Sequence, residues 1–154
     1  MSPGAKTIAV GTAVAASLDL LCAFVLGAID GRGPLPILAG IAAGPFGNAL
    51  SGGAAVPAGA AVHFGIMAAM VAAFVLAAER WPWLRSRPLA SGFGYGILLY
   101  LLMYWIVLPL RWPSIHPSLD PRTIGGALFA HIVCVGLPIA FITAAMLPGR
   151  GEAR

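Results

Sequence analysis

Charged side chains are scarce in this chain. Of its 154 residues only 9% are Asp, Glu, Lys or Arg, whereas 60% are hydrophobic. A water-soluble domain of this length needs far more polar surface around its core. The shortage of charge excludes an ordinary soluble domain and favours a chain solvated mainly by lipid. We expect one membrane domain over residues 1–154, because the length leaves no room for a second, soluble one.

Cysteine is also rare, and the usual signatures of catalysis are missing. Cys22 and Cys134 both fall inside long apolar runs, so no disulfide framework is expected. The chain contains no HExxH zinc motif, no GxSxG nucleophile motif and no phosphate-binding loop. Ser17 and Ser51 have no evident base to activate them. The sequence therefore predicts that the protein is not an enzyme.

A clustered basic face, typical of nucleic-acid binding, is absent as well. The net charge of +4 is better explained by span ends that meet anionic lipid headgroups. In a four-span topology six basic residues share one side and three the other. The six are Lys6, Arg80, Arg85, Arg87, Arg150 and Arg154, and the three are Arg32, Arg111 and Arg122. The positive-inside rule then predicts cytoplasmic termini, with the lipid bilayer and not nucleic acid as partner.

Four long apolar runs dominate the chain. They cover residues 5–29, 54–78, 89–110 and 123–147. Each meets the requirement of about 20 residues for a helix that crosses a membrane. The first run is too long for a cleaved signal peptide, so we expect it to be retained. The predicted fold is all-α, a polytopic membrane protein with four transmembrane helices in an up-down bundle.

Aromatic and capping residues support these boundaries. Trp81 and Trp83 fall at the predicted inner interface, and Trp105 and Trp112 fall near the outer one, where indole rings concentrate. The dipeptide Asp120-Pro121 has the pattern of a helix N-cap followed by proline in the first turn. A structural role is therefore favoured for Asp120 over a catalytic one. His116, in the same loop, is expected to be solvated.

The connection between the first two spans is long and rich in glycine and proline. Its apolar segment, residues 34–44, is too short to cross a membrane. It has no charged face, so it is a poor match to an amphipathic surface helix. Two alternatives stay open: a short re-entrant helix that returns through residues 44–48, or a cap over the bundle. Asn48, in the return, is the candidate polar residue of this outer segment.

Few polar residues lie inside the spans, and Asp19 is the most informative. A carboxylate at the centre of a membrane helix costs about 2.5 to 3.5 kcal/mol on insertion scales, so it should face protein or trapped water. At about 1.5 Å of rise per residue, five polar residues of the four spans all reach the predicted outer half of the bilayer. They are Asp19, His63, Tyr100, Tyr104 and His131. A shared polar cluster is the resulting hypothesis.

Small residues that recur every fourth position predict which sides of the helices pack together. The first span carries such a row with Asp19 in it, the second carries Ala61, Gly65, Ala69, Ala73 and Ala77, and the third places two tyrosines above two glycines. We expect these rows to face inward. The rows that hold His63 and His131 are not decisive.

An acid and two histidines in contact would titrate as a coupled set, and such sets carry protons in membrane carriers. The alternative is that Asp19 only hydrogen-bonds a neighbour and fixes the bundle. A second chemistry is noncovalent haem held by His63 and His131. Asp19 with Cys22, and His131 with Cys134, also form weak metal-ligand spacings. No CxxCH motif is present, and the cofactor expectation is none, with haem as an alternative.

The chain resembles small uncharacterised bacterial inner-membrane proteins with four predicted spans. The resemblance depends on residues 41–44 before a glycine-rich link, on Val62-His63-Phe64, and on His131 before residues 135–140. It implies a bacterial inner-membrane location and no catalytic residue. Three functional hypotheses follow: small-solute or proton-linked transport through the polar cluster, a non-catalytic accessory protein of a homo-oligomer or larger membrane complex, and a bis-histidine haem subunit.

Overall fold

The computed structural model of the protein describes residues 1–50 and 52–147. Within them the chain forms only helices and connecting turns, and four helices are long and apolar enough to cross a membrane. These four are α1 (Pro3–Ile29), α3 (Ala55–Arg80), α5 (Pro88–Arg111) and α6 (Pro121–Met146). Two shorter helices, α2 (Pro34–Phe46) and α4 (Trp83–Ser86), lie between them. The predicted all-α fold of four spans, with a short helix after the first, is confirmed.

Local sequence signals determine where the long helices begin. The Ser2 hydroxyl accepts a hydrogen bond from the Ala5 amide at the start of α1. At the start of α6 the Asp120 carboxylate accepts hydrogen bonds from the Thr123 amide and hydroxyl, at 2.8 and 2.7 Å. These contacts satisfy amides that the first turn leaves without partners. The predicted N-cap at Asp120 is confirmed.

The short helix α2 packs beside the first turns of α3. Leu38 of α2 is buried, and a Cβ atom at Gly59, five residues into α3, would overlap its backbone carbonyl. The Ile37 side chain packs against Gly27 of α1, where a Cβ atom would come within 2.5 Å of Ile37 Cδ1. Arg111, at the end of α5, donates hydrogen bonds to the carbonyls that finish α2, from Nε to Gly44 and from a terminal nitrogen to Ala43. Three long helices therefore fix the position of α2. We call this side of the bundle the α2 end, and the opposite side the α4 end.

Two of the three predicted small-residue rows face inward. On α1 the residues Gly11 and Ala15 are buried and Asp19 is half-buried. On α5 the buried residues Gly92, Gly96 and Tyr100 share one row. Both rows pack against neighbouring helices, as the sequence predicts.

The prediction that the small-residue row of α3 faces inward is wrong. Residues Ala61, Gly65, Ala69 and Ala73 are exposed, and nothing lies within 4 Å of a Cβ atom built at Gly65. The buried face of α3 instead contains Gly59, His63, Met67, Val71 and Val75. Here the small row of α1 receives larger side chains: a Cβ atom at Gly11 would come within 2.8 Å of Val71 Cγ1. The side chains that α1 and α2 can accommodate therefore determine which face of α3 is buried.

Candidate functional site

A cavity of about 420 Å³ opens at the α2 end of the bundle, between α1, α5 and α6. Its polar lining comprises Asp19, Asp30, Arg32, Tyr104, Asp120, Arg122, Thr123 and His131. Four of these residues, Asp30, Arg32, Asp120 and Arg122, belong to helix ends and form the mouth. Asp19, Tyr104 and His131 come from within the spans and form the base. We refer to this space as the polar cavity.

Asp19 presents a carboxylate to the polar cavity without a hydrogen-bond donor from the described residues. The His63 ring is close to it, with Nε2 3.9 Å from Asp19 Oδ2, beyond hydrogen-bonding distance. His131 lines the same cavity. The Asp19 side chain retains 19% of its exposure. The carboxylate is therefore open to the cavity.

His63 links α3 to α1 behind Asp19. The ring is buried, and its Nε2 lies 3.0 Å from the Ala16 carbonyl oxygen. A carbonyl can only accept, so Nε2 carries a hydrogen and donates it to Ala16. His63 does not line the polar cavity. Its hydrogen bond holds α3 against the part of α1 that carries Asp19.

His131 lies among the predicted tyrosines. Its ring centroid is 5.8 Å from that of Tyr104 and 6.2 Å from that of Tyr100, edge-on in both cases. The Nδ1 atom donates to the Ala127 carbonyl, 2.9 Å away, which fixes the orientation of the ring. Tyr100 is buried behind the other two residues, while Tyr104 and His131 reach the cavity. The structure thus places Asp19 and His63 as a pair on α1 and α3, and Tyr100, Tyr104 and His131 as a trio on α5 and α6.

Wide π-helical turns carry Tyr104 and His131, and the sequence analysis did not anticipate them. They cover Leu102–Val107 in α5 and Ala130–Gly136 in α6. Each ends two residues before a proline, Pro109 or Pro138. Proline has no amide hydrogen, and its ring clashes with the carbonyl four residues earlier, so a regular α-helix cannot continue through it. The signal that could have found these turns is a proline beyond the first turn of an apolar span.

The residue before each proline shows the altered bonding. Leu108 and Leu137 donate their amides to Met103 and Ile132, each five residues earlier. Such turns occur frequently at functional sites. Below His131, a Cβ atom at Gly96 would come within 2.6 Å of the His131 carbonyl oxygen. This glycine lets α5 approach α6 closely and brings the tyrosines to the histidine.

Charged groups surround the mouth of the polar cavity. Asp30, after α1, pairs with Arg32 at 3.4 Å and with Arg122, on α6, at 3.6 Å. The pairs are exposed, so they contribute little to stability, but they join two helix ends across the mouth. Hydrogen bonds from the Thr123 hydroxyl and amide hold the pKa of Asp120 below its ordinary value. Asp120 therefore stays ionised at neutral pH.

Both histidines considered as metal or haem ligands form hydrogen bonds to backbone carbonyls. The described residues contain no group of three or more His, Cys, Asp or Glu side chains placed to hold a metal ion. Cys22, half-buried on α1, and Cys134, buried on α6, are both free thiols. For His63 to bind iron through Nε2, it would have to leave the Ala16 carbonyl.

Two predicted polar residues lie away from the cluster. Asn48 is exposed in the short 3₁₀ turn Gly47–Ala49 and does not line the polar cavity. His116 is exposed in the loop before α6, as expected for a solvated side chain. Ser51 lies outside the described residues.

Comparison with protein-family models, with curated proteins and with solved structures finds no match to this chain. The geometry of the polar cavity is therefore the basis for assigning a function.

Proposed function

We propose that the protein is a membrane carrier that binds a small polar solute in the polar cavity and couples its movement to protonation of Asp19. The observation that carries this proposal is the Asp19 carboxylate, half-buried in mid-span and without a hydrogen-bond donor from the described residues. A purely structural acid in a membrane bundle would have its oxygens satisfied by neighbouring groups. A carboxylate that instead faces a cavity can exchange a proton or bind a solute.

The neighbouring groups suit this role. His131 and Tyr104 line the base of the same cavity, so a solute next to Asp19 meets an imidazole and a phenol as further hydrogen-bonding groups. The volume of about 420 Å³ lies in the usual range for small-molecule sites. The paired charges of Asp30, Arg32 and Arg122 at the mouth favour polar over apolar solutes.

The experiment is uptake by proteoliposomes under an imposed pH gradient, screened with labelled amino acids, small carboxylates and sugars. We expect gradient-driven accumulation of one class by the natural protein and none by Asp19→Asn. Glu79→Gln is the matched control, because it also removes a carboxylate charge but at the exposed α4 end, away from the polar cavity, and it should retain accumulation. Equal uptake by Asp19→Asn and the natural protein would refute the proposal. Absence of uptake for every class would count against it as well.

A second candidate is a non-catalytic accessory protein that packs against another membrane protein or a second copy. The exposed small residues Ala61, Gly65, Ala69 and Ala73 of α3 favour it, since such rows allow helices to approach closely in membranes. Crosslinking in native membranes from Gly65→Cys, in a Cys22→Ala and Cys134→Ala background, tests it. Ala13→Cys, exposed on α1, is the control position. Equal crosslinking at both positions would contradict a specific α3 contact.

We further propose that the bundle lies in a bacterial inner membrane with the α4 end in the cytoplasm. Lys6, Arg80, Arg85 and Arg87 belong to that end, against Arg32, Arg111 and Arg122 at the α2 end. Arg150 and Arg154 lie outside the described residues. A green fluorescent protein fused to the C-terminus should fluoresce in cells. A dark, exported fusion would reverse the orientation.

A further inference from the structure

A second concave surface lies at the α4 end of the bundle, remote from the polar cavity. It is a groove of about 410 Å³ between α3, α4 and α5. Apolar side chains such as Phe74, Ala77 and Leu98 line it, and Trp81 and Trp83 lie at the α4 end of it. The two indoles are 65% and 52% exposed, so they are not part of the core. We call this surface the α4 groove.

The α4 groove offers hydrocarbon contacts but no free hydroxyl. The Ser91 hydroxyl donates to the Leu84 carbonyl at 2.8 Å, and the Tyr95 hydroxyl donates to the Met70 carbonyl at 2.8 Å. Both hydroxyls are thus committed to the backbone. At Gly94 no atom lies within 4 Å of a Cβ position, so the floor of the groove stays open. An extended acyl chain fits such a surface better than a polar solute does.

Basic residues flank the two tryptophans of the α4 groove in the sequence. Arg80 precedes Trp81, and Arg85 and Arg87 follow Trp83. Neither the Arg80 nor the Arg87 guanidinium forms a hydrogen bond or ion pair with the described part of the chain. Arg87 also lines a second apolar groove on the other side of α5, next to Phe93 and Phe141. Unpaired positive charge above apolar grooves is complementary to an anionic lipid.

The contrast with the α2 end strengthens this assignment. There, Asp30 pairs with Arg32 and Arg122, and Arg111 donates to the two carbonyls at the end of α2. The cations of the α2 end are therefore occupied by protein, whereas Arg80 and Arg87 are not. We infer that the α4 groove binds an anionic phospholipid, with an acyl chain along Phe74 and Leu98 and the headgroup phosphate against Arg80 at the α4 end, where Arg87 adds positive charge.

Tryptophan quenching by lipids brominated in the acyl chain tests this inference. A Trp105→Phe and Trp112→Phe protein reports only from Trp81 and Trp83, and the reverse pair of substitutions reports from the α2 end. Each is reconstituted with brominated phosphatidylglycerol or brominated phosphatidylcholine in an unbrominated phosphatidylcholine background. We expect phosphatidylglycerol to bind near Trp81 and Trp83 more tightly, by about fivefold for each arginine in contact. The α2-end reporter should show no such preference.

Two further variants separate the contribution of the arginine charges to lipid binding from the contribution of the apolar groove. Arg80→Gln with Arg87→Gln should abolish the preference for phosphatidylglycerol while quenching by phosphatidylcholine stays unchanged. Gly94→Leu should fill the open floor and reduce quenching by both lipids. Should a variant fail to fold, retention of phosphatidylglycerol by the natural protein in native mass spectrometry provides an independent measurement. Equal affinity for both lipids at Trp81 and Trp83, or an equal preference at both ends, would overturn the inference. So would loss of all phosphatidylglycerol under conditions that preserve the fold.

Discussion

The helices α1 and α3 carry small residues at the same spacing, yet the bundle uses the two rows in opposite ways. The α1 row is buried and receives larger side chains such as Val71. The corresponding row of α3, with Gly65 at its middle, faces outward. Small residues permit close approach of two helices, but only where the other helix presents larger side chains that pack against them. The difference teaches that a row in one helix can be interpreted only together with the faces of its neighbours.

The largest expected effect comes from the glycine of α3 that is buried. Gly59→Ala would place a methyl group onto the backbone carbonyl of Leu38, and backbone cannot move aside as a side chain can. We expect a loss of about 3 kcal/mol or more in the free energy of unfolding, at the upper end for overpacking. Denaturant titration in mixed micelles measures it. Gly65→Ala, in open space on the same helix, should be neutral or stabilising by up to about 1 kcal/mol. Equal effects at both glycines would show that the two faces of α3 are not distinguished.

An intermediate effect is expected at the contact of the two helices. Gly11→Ala brings a methyl group within 2.8 Å of Val71 Cγ1, which should cost about 1 to 3 kcal/mol. Val71→Ala removes the obstructing atoms, so the double variant should be more stable than the sum of the two single effects predicts. The same titration gives the coupling energy. Additivity would mean that Gly11 and Val71 are not in contact.

The smallest effect on stability, and the most direct view of the two faces, comes from single cysteines in a Cys22→Ala and Cys134→Ala background. Ala69→Cys should change stability by less than about 0.5 kcal/mol and react with a membrane-permeant maleimide. Ala15→Cys lies on the buried row, at 0% exposure, and should stay unmodified until unfolding. Rapid labelling at Ala15→Cys, or protection at Ala69→Cys in the isolated protein, would contradict the assignment of the faces.

Much of the fold could be predicted because the spans are a one-dimensional property of the sequence. Apolar length and local caps determine where a membrane helix starts and ends, and each predicted span boundary lies within two residues of the observed one. Asp120 at the start of α6 is an example, since its partner is only three residues away. The short outer segment was also placed correctly, although the observed helix Pro34–Phe46 is two residues longer.

The site could be predicted only in part. Depth along each helix was sufficient to bring Asp19, His63 and His131 to one level, because rise per residue is constant. The direction of each side chain was not determined by depth. Thus the sequence did not reveal that His63 bonds the Ala16 carbonyl behind the cavity wall, whereas His131 reaches the cavity. Nor did spacing identify the outward face of α3, since that depends on α1 and α2.

The π-helical turn in α6 changes the angular position of the residues that follow it around the helix axis. In a regular α-helix, residues at every fourth position drift around the axis by about 40° per step. A π turn holds more residues per turn, so it rotates such a row back. Ala127, Val135, Ile139 and Thr143 are accordingly all buried, and His131 lies in line with them. Pro138, which does not line the cavity, therefore helps to determine the direction in which His131 points.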